Sequence, residues 1–182
     1  MPLNLPEIKM LFVDLDGVLV DFHSELVKLH GIDPNSLSED EWAEWDNHGP
    51  DRDPRHFWEP LNNVDSEWWA NLPKLPWADR LWSACNRFCQ DVVILTSTPR
   101  NSCSASGKFQ WIEKNLGTYQ ALIGRPKFAC AQSGHALIDD RTINLTPWQQ
   151  YGGIPIALRR PWLKNGYSVD EIIEALEFSS SA

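Results

Sequence analysis

Three short apolar runs, each closing on a polar cluster, constrain this chain more than any other feature. Residues 8–13 run into Asp14-Leu15-Asp16-Gly17, residues 92–95 into Thr96-Ser97, and residues 136–138 into Asp139-Asp140-Arg141. Runs of this length with turn chemistry behind them read as buried strands. Helical patterns separate them. The periodicity predicts a strand over 8–14 and a helix over 22–30 ended by Gly31. Further along it predicts a helix over 77–89, a strand over 91–96, a helix over 107–116 ended by Gly117, and short strands over 120–123 and 135–139. A helix over 142–150, a strand over 154–158 and a helix over 168–178 complete the pattern, with a frayed Ser-rich tail at 179–182. Strands separated by helices require a parallel sheet covered on both faces. The expected fold is therefore α/β and Rossmann-like, and such sheets place ligands at the carboxyl ends of their strands.

The residues at those ends carry the chemistry. Asp14 and Asp16 are two apart at a strand terminus, where alternating side chains can point into one cleft. Gly17 lets the backbone turn sharply and approach a ligand. A carboxylate pair in this setting points to Mg²⁺-dependent phosphoryl transfer. Thr96-Ser97 puts hydroxyls and backbone N–H groups at a strand tip, suited to a phosphate oxygen. Asp139 and Asp140 at the end of a buried strand are costly unless a cation or hydrogen bonds compensate them. Lys127 lies between these last two motifs, where it could neutralise a phosphate and the acids. Taken singly, each is an ordinary feature: an acidic turn, a helix cap, a solvated acid pair, a surface lysine. Their order and shared placement are not.

Composition marks a boundary. Of the net charge of −9, residues 33–82 carry −8, with twelve acidic and four basic side chains, and they hold seven of the ten tryptophans. So acidic a stretch does not suit a nucleic-acid backbone. Pro50, Pro54, Pro60, Pro73 and Pro76 forbid one long helix there. Ser38-Glu39-Asp40-Glu41 has the form of a capping box, and Ser66 opens another short helix. The expected organisation is a core of residues 1–22 and 77–182 with a small helical, Trp-rich cap of residues 23–76 inserted after the first strand. Trp42 and Trp45 are assigned to the interior of the cap, and Trp111, Trp148 and Trp162 to packing in the core. The acidic run 39–46 reads as a solvated helix face. His23, His48, His56 and His135 are too scattered for a metal site. Cys85 and Cys89, four apart in a helix, read as buried thiols; with no metal-ligand spacing among the cysteines, a cytoplasmic setting is expected. No apolar run reaches membrane-span length, and the N-terminus lacks a signal-peptide pattern.

The motifs resemble a known family. DLDGVLVDF (14–22), VVILTS (92–97), Lys127 and ALIDDR (136–141) are similar to the four motifs of the haloacid dehalogenase (HAD) superfamily. Within it, the chain most resembles the 5′(3′)-deoxyribonucleotidases and related bacterial and phage phosphatases. KFQWIEKNLG (108–117) resembles that family's KxxWIExxLG helix, and Tyr151-Gly152-Gly153 its late strand entry. One departure is Thr98, which separates Ser97 from Pro99.

The resemblance implies that Asp14 is the nucleophile and Asp16 the acid and base. It implies Mg²⁺ held by Asp14, the Asp16 carbonyl and the Asp139/Asp140 pair, with Asp140 the preferred ligand. Thr96, Ser97 and Lys127, with Gly17 and with Lys108 at a helix start, would hold the phosphate. Phe22, Trp68, Trp69 and Trp58 would face a nucleobase from the cap. The expected substrate is a small phosphomonoester, foremost a (deoxy)nucleoside monophosphate, acted on by a monomer or homodimer that binds neither duplex nucleic acid nor membrane. The rivals are a phosphatase for another metabolite or a polynucleotide end, and a non-catalytic module docking a protein through its acidic cap.

Overall fold

The computed structural model describes residues 3–45, 53–99 and 102–179. His48, Pro50 and residues 180–182 lie outside that set, as does the side chain of Trp45. Five parallel strands form one sheet: β1 (Met10–Val13), β2 (Val92–Thr96), β3 (Ala121–Ile123), β4 (His135–Asp139) and β5 (Ile154–Ala157), in the order β3-β2-β1-β4-β5. The strand order reverses beside β1, so the crevice for a ligand opens between the ends of β1 and β4. Phe12 pairs with Leu137 and Val93, and Val13 with Ile138 and Ile94. This register puts the segments after β1, β2 and β4 side by side.

Between β1 and β2 come α1 (Phe22–Leu29), α2 (Glu39–Trp45), α3 (Pro54–Trp58) and α4 (Ser66–Ala70), with 3₁₀ turns at Pro34–Ser36 and Glu59–Asn63. The capping box forms as its sequence predicts: Ser38 N–H donates to Glu41 at 2.8 Å, and Glu41 N–H to Ser38 Oγ at 3.4 Å. The chain leaves and re-enters the sheet region through a narrow neck. There Leu75 N–H donates to Leu19 O and Asp21 N–H to Pro73 O, both at 2.9 Å. The remaining helices are α5 (Ala78–Phe88), α6 (Ser102–Leu116), α7 (Thr142–Gln150) and α8 (Val169–Ser179).

Alternate strand residues supply two cores, as a sheet covered on both faces requires. Leu11, Val13, Ile94 and Ile138 meet α1, α5 and α8, whereas Phe12, Leu95 and Leu137 pack under Leu145 and Trp148 of α7. Trp111 and Trp148 are buried, and Trp111 Nε1 donates to Leu72 O in the neck at 2.7 Å. Trp42 packs, half-buried, against the larger core. Cys85 and Cys89 are unbridged and buried, and burial pushes the Cys85 thiol up to about 12.

One helix differs from its sequence pattern. α6 begins five residues before the predicted start, and α4 packs against it, closely at Gly107. A Cβ at Gly107 would run into the Ser66 carbonyl and the Trp69 Cβ. No described helix is long and apolar enough to cross a membrane.

Candidate active site

The β1 end is shaped by a tight loop. Gly17, at φ +76°, donates to Val20 O at 2.9 Å, and Leu19 and Val20 both return to Leu15 O. No other residue suits Gly17, since a Cβ there would overlap the Asp140 carboxylate. The loop leaves Asp14 buried, its Oδ1 accepting from its neighbour Leu15 N–H at 2.8 Å.

Lys127, which opens a 3₁₀ turn (Lys127–Cys130), reaches under the sheet tips and joins two of the acids. Its ammonium lies 2.7 Å from Asp14 Oδ1 and 2.6 Å from Asp139 Oδ2. Burial acts to lower its pKa, but Asp139 and Asp14 more than offset that and hold it above the usual lysine range. Lys127 is therefore a fixed cation with one N–H left for the cleft.

The two adjacent acids have different surroundings. Asp139 is saturated: besides Lys127 it accepts Arg141 N–H at 2.9 Å, and Asn144 Nδ2 lies 3.1 and 3.0 Å from its two oxygens. Asp140 accepts Trp162 Nε1–H on Oδ2 at 3.2 Å, while its buried Oδ1 has no partner. Burial raises both, Asp139 to about 6 against the pull of Lys127, and Asp140 well above the carboxylate range with Asp139 and Asp14 adding to the rise.

Carboxylate oxygens of Asp14, Asp139 and Asp140 lie within 4.8 Å of one another. Three hard oxygen donors with one orphaned, beside a glycine that leaves them room, fit a divalent cation such as Mg²⁺. Asp140 is the better placed of the adjacent pair, because the oxygens of Asp139 are already engaged.

Asp16 stands opposite, on the cleft side, with 22% of its side chain exposed. Lys108 binds its Oδ2, and also donates to Thr96 Oγ1 at 3.0 Å and Ser97 O at 2.7 Å. Burial raises the Asp16 pKa, Lys108 opposes the rise, and Asp14 adds to it. Lys108 thus departs from its expected place. It sits two turns into α6 rather than at the helix start, and its three donors are spent on Asp16 and the β2 tip. Thr96 is fully buried against Lys108, while Ser97 lines the cleft.

The cleft has a volume of about 390 Å³ and extends from Asp14 and Asp16 to an aromatic wall. Phe22 stacks on Trp69 with centroids 5.4 Å apart and planes 12° apart, and lies nearly parallel to Trp58 at 6.4 Å. Those three rings and Phe57 line the cleft. Trp68 does not: it packs edge-on against Trp69 and lines a separate shallow hollow with Glu25 and Asp65. The correction follows from helical geometry, in which successive residues of α4 diverge by about 100° and only one can face inward.

Sequence reasoning also missed part of the opposite side. Phe128, Arg125, Arg141 and Asn144 line the cleft, as does His23, which the sequence assigned no role. Phe128 is stacked on Tyr151 at 4.6 Å. Adjacency to Lys127 and to Asp140 was the available signal for Phe128 and Arg141. Burial, with Arg160 and Arg141 adding to it, drives the His23 imidazole well below its ordinary range, so it is neutral.

Solved structures share this architecture. The HAD-hydrolase YfnB of Bacillus subtilis, crystallised with magnesium, superposes with a TM-score of 0.59 at 12% identity, over 94% of this chain and 99% of that one. A haloacid dehalogenase-like hydrolase from Burkholderia xenovorans gives 0.56 at 12% identity over 93% and 96%. A HAD-superfamily hydrolase from Ehrlichia chaffeensis gives 0.56 at 12% identity over 97% and 99%. No protein-family model matches the sequence, and no curated protein matches it, so the likeness is one of fold.

Proposed function

We propose that the protein is a Mg²⁺-dependent phosphomonoester hydrolase working through an aspartyl-phosphate on Asp14. The observation that carries this reading is the division of labour among buried groups at the sheet tips. Lys127 clamps Asp14 and Asp139, Asp140 keeps an oxygen open, and Asp16 stands across the cleft. A bound cation, held by Asp14, Asp140 and the Asp16 carbonyl, would supply charge to offset the repulsion between carboxylate and phosphate.

The rest follows from the residues themselves. Asp14 attacks phosphorus with its cleft-side oxygen while Lys127 keeps the other in place. The alkoxide leaving group needs a proton, and Asp16, whose pKa burial raises, would supply it from across the cleft. Asp16 then accepts a proton from the water that releases phosphate. Ser97 and the third N–H of Lys127 would bind phosphoryl oxygens, with Thr96 shaping the tip through Lys108.

Residues 23–76 are read as a cap joined to the core by the paired neck, and the substrate as a (deoxy)nucleoside monophosphate. Parallel rings of Phe22, Trp58 and Trp69 on one side and Phe128 on the other suit a planar base, stacking being worth about 1–3 kcal/mol per base. Phosphate release from nucleoside monophosphates and sugar phosphates, in Mg²⁺ and in EDTA, tests the reading. Turnover of nucleotides that stops in EDTA supports it. Turnover of sugar phosphates alone assigns another metabolite, and no turnover of either favours a binding module.

A further inference from the structure

Trp162, in the loop between β5 and α8, joins an acid after β4 to helices that lie between β1 and β2. Its Nε1–H donates to Asp140 Oδ2 at 3.2 Å. Its ring lies 4.1 Å from that of His23 on α1 and 6.4 Å from that of Trp42 on α2, with the Arg160 guanidinium 4.9 Å from its centre on the core side. Two residues on, Lys164 reaches Asp40 of α2 at 3.4 Å. The indole is thus gripped by the inserted helices and holds one oxygen of one acid.

A carboxylate with both oxygens unrestrained can rotate, whereas one oxygen tied to a donor fixes where the other points. Asp139 is held by Lys127, Asn144 and a backbone N–H. Among the described contacts, only Trp162 does the same for Asp140. We infer that Trp162 is the positioning residue for Asp140, presenting Oδ1 to a divalent cation. The inference rests on the metal-dependent reading above.

The test titrates Mg²⁺ alone, without substrate, by calorimetry. Trp162→Phe keeps an aromatic ring and loses the N–H. It should weaken Mg²⁺ binding by roughly 10- to 100-fold, the range for one hydrogen bond to a charged acceptor. The Mg²⁺ concentration that half-saturates turnover should rise by the same factor, so that the metal requirement shifts with the binding. Trp42→Phe, which leaves the N–H in place, should change Mg²⁺ affinity by less than about threefold. An equal affinity in Trp162→Phe, whatever its metal-free melting temperature, overturns the inference while leaving the hydrolase reading intact. Absence of Mg²⁺ binding by the wild type overturns both. Should Trp162→Phe not fold, the wild type still decides. Its Trp162 indole N–H resonance, identified by transfer from the His23 ring, should move with the Mg²⁺ titration, and a stationary resonance overturns the inference.

Discussion

The floor of the cleft and its aromatic wall are built on opposite principles. On the floor, charges are fixed by named partners: Lys127 by two carboxylates, Lys108 by Asp16 and two β2-tip oxygens, Asp139 by a lysine, an asparagine and a backbone N–H. On the wall, Phe22, Trp58 and Trp69 lie ring against ring, and meet the floor where the Lys108 ammonium lies 5.4 Å from the centre of the Trp69 ring. The Trp69 Nε1–H, buried and unpartnered, underlines the difference. A floor of this kind specifies a reaction. A wall of this kind specifies a shape, and tolerates variation in what fills it.

Substitutions on the floor should therefore cost rate or stability by orders of magnitude, and those on the wall only affinity. The largest effect is expected of Asp14→Asn, a drop of at least about 10³-fold in phosphate release with the fold intact by circular dichroism. Lys127→Ala comes next. It strands buried carboxylates and should destabilise the metal-free protein by about 3–5 kcal/mol in urea unfolding.

Asp140→Asn should act in the other direction. Asp140 is raised well above its ordinary range, so the native state holds a proton that the unfolded chain releases. Its contribution to stability is complete below the unfolded value near 3.8 and is lost as pH rises through the folded one. At pH 8 the neutral variant should thus be more stable than metal-free wild type by about 1–3 kcal/mol, and the gap should close on acidification. A gap independent of pH would show that Asp140 is not a stored charge.

Wall substitutions come last. Trp58→Ala should raise KM for a nucleotide by roughly 5- to 100-fold with kcat little changed, as loss of one stacking face implies. Trp68→Ala, outside the cleft, should leave KM within about twofold. Equal effects at the two positions would erase the distinction between wall and exterior. Gly107→Ala probes the support behind the wall: its methyl meets Trp69 and the Ser66 carbonyl, for a cost of about 1–3 kcal/mol in thermal unfolding.

The same contrast explains what could be read from the chain. The sheet and the floor were legible because each floor residue sits beside an apolar run of fixed period. Asp14, Thr96 and Asp139 occupy strand ends, so locating the strands located them. Lys127 was legible from its position between two motifs, although its grip on Asp14 was not. The wall was less so. Short helices of five residues in α3 and α4 carry too little periodicity to say which of two adjacent tryptophans faces inward, and Trp68 was placed wrongly for that reason. Lys108 was assigned to phosphate because nothing local marks α6 as starting at Ser102. Trp162 and His23 meet although 139 positions separate them, a contact no local pattern encodes.

The central claim is that Asp14 carries the phosphoryl group between two half-reactions, and a good leaving group isolates the first. An aryl phosphate needs no proton from Asp16, so Asp16→Asn in Mg²⁺ should release about one phenol per enzyme and then stall, Asp16 being required for the water step. Acid quenching of that stalled protein should give a phosphoryl group on the peptide containing Asp14. A wild type that hydrolyses the same ester while Asp16→Asn gives neither burst nor labelled peptide would contradict the account.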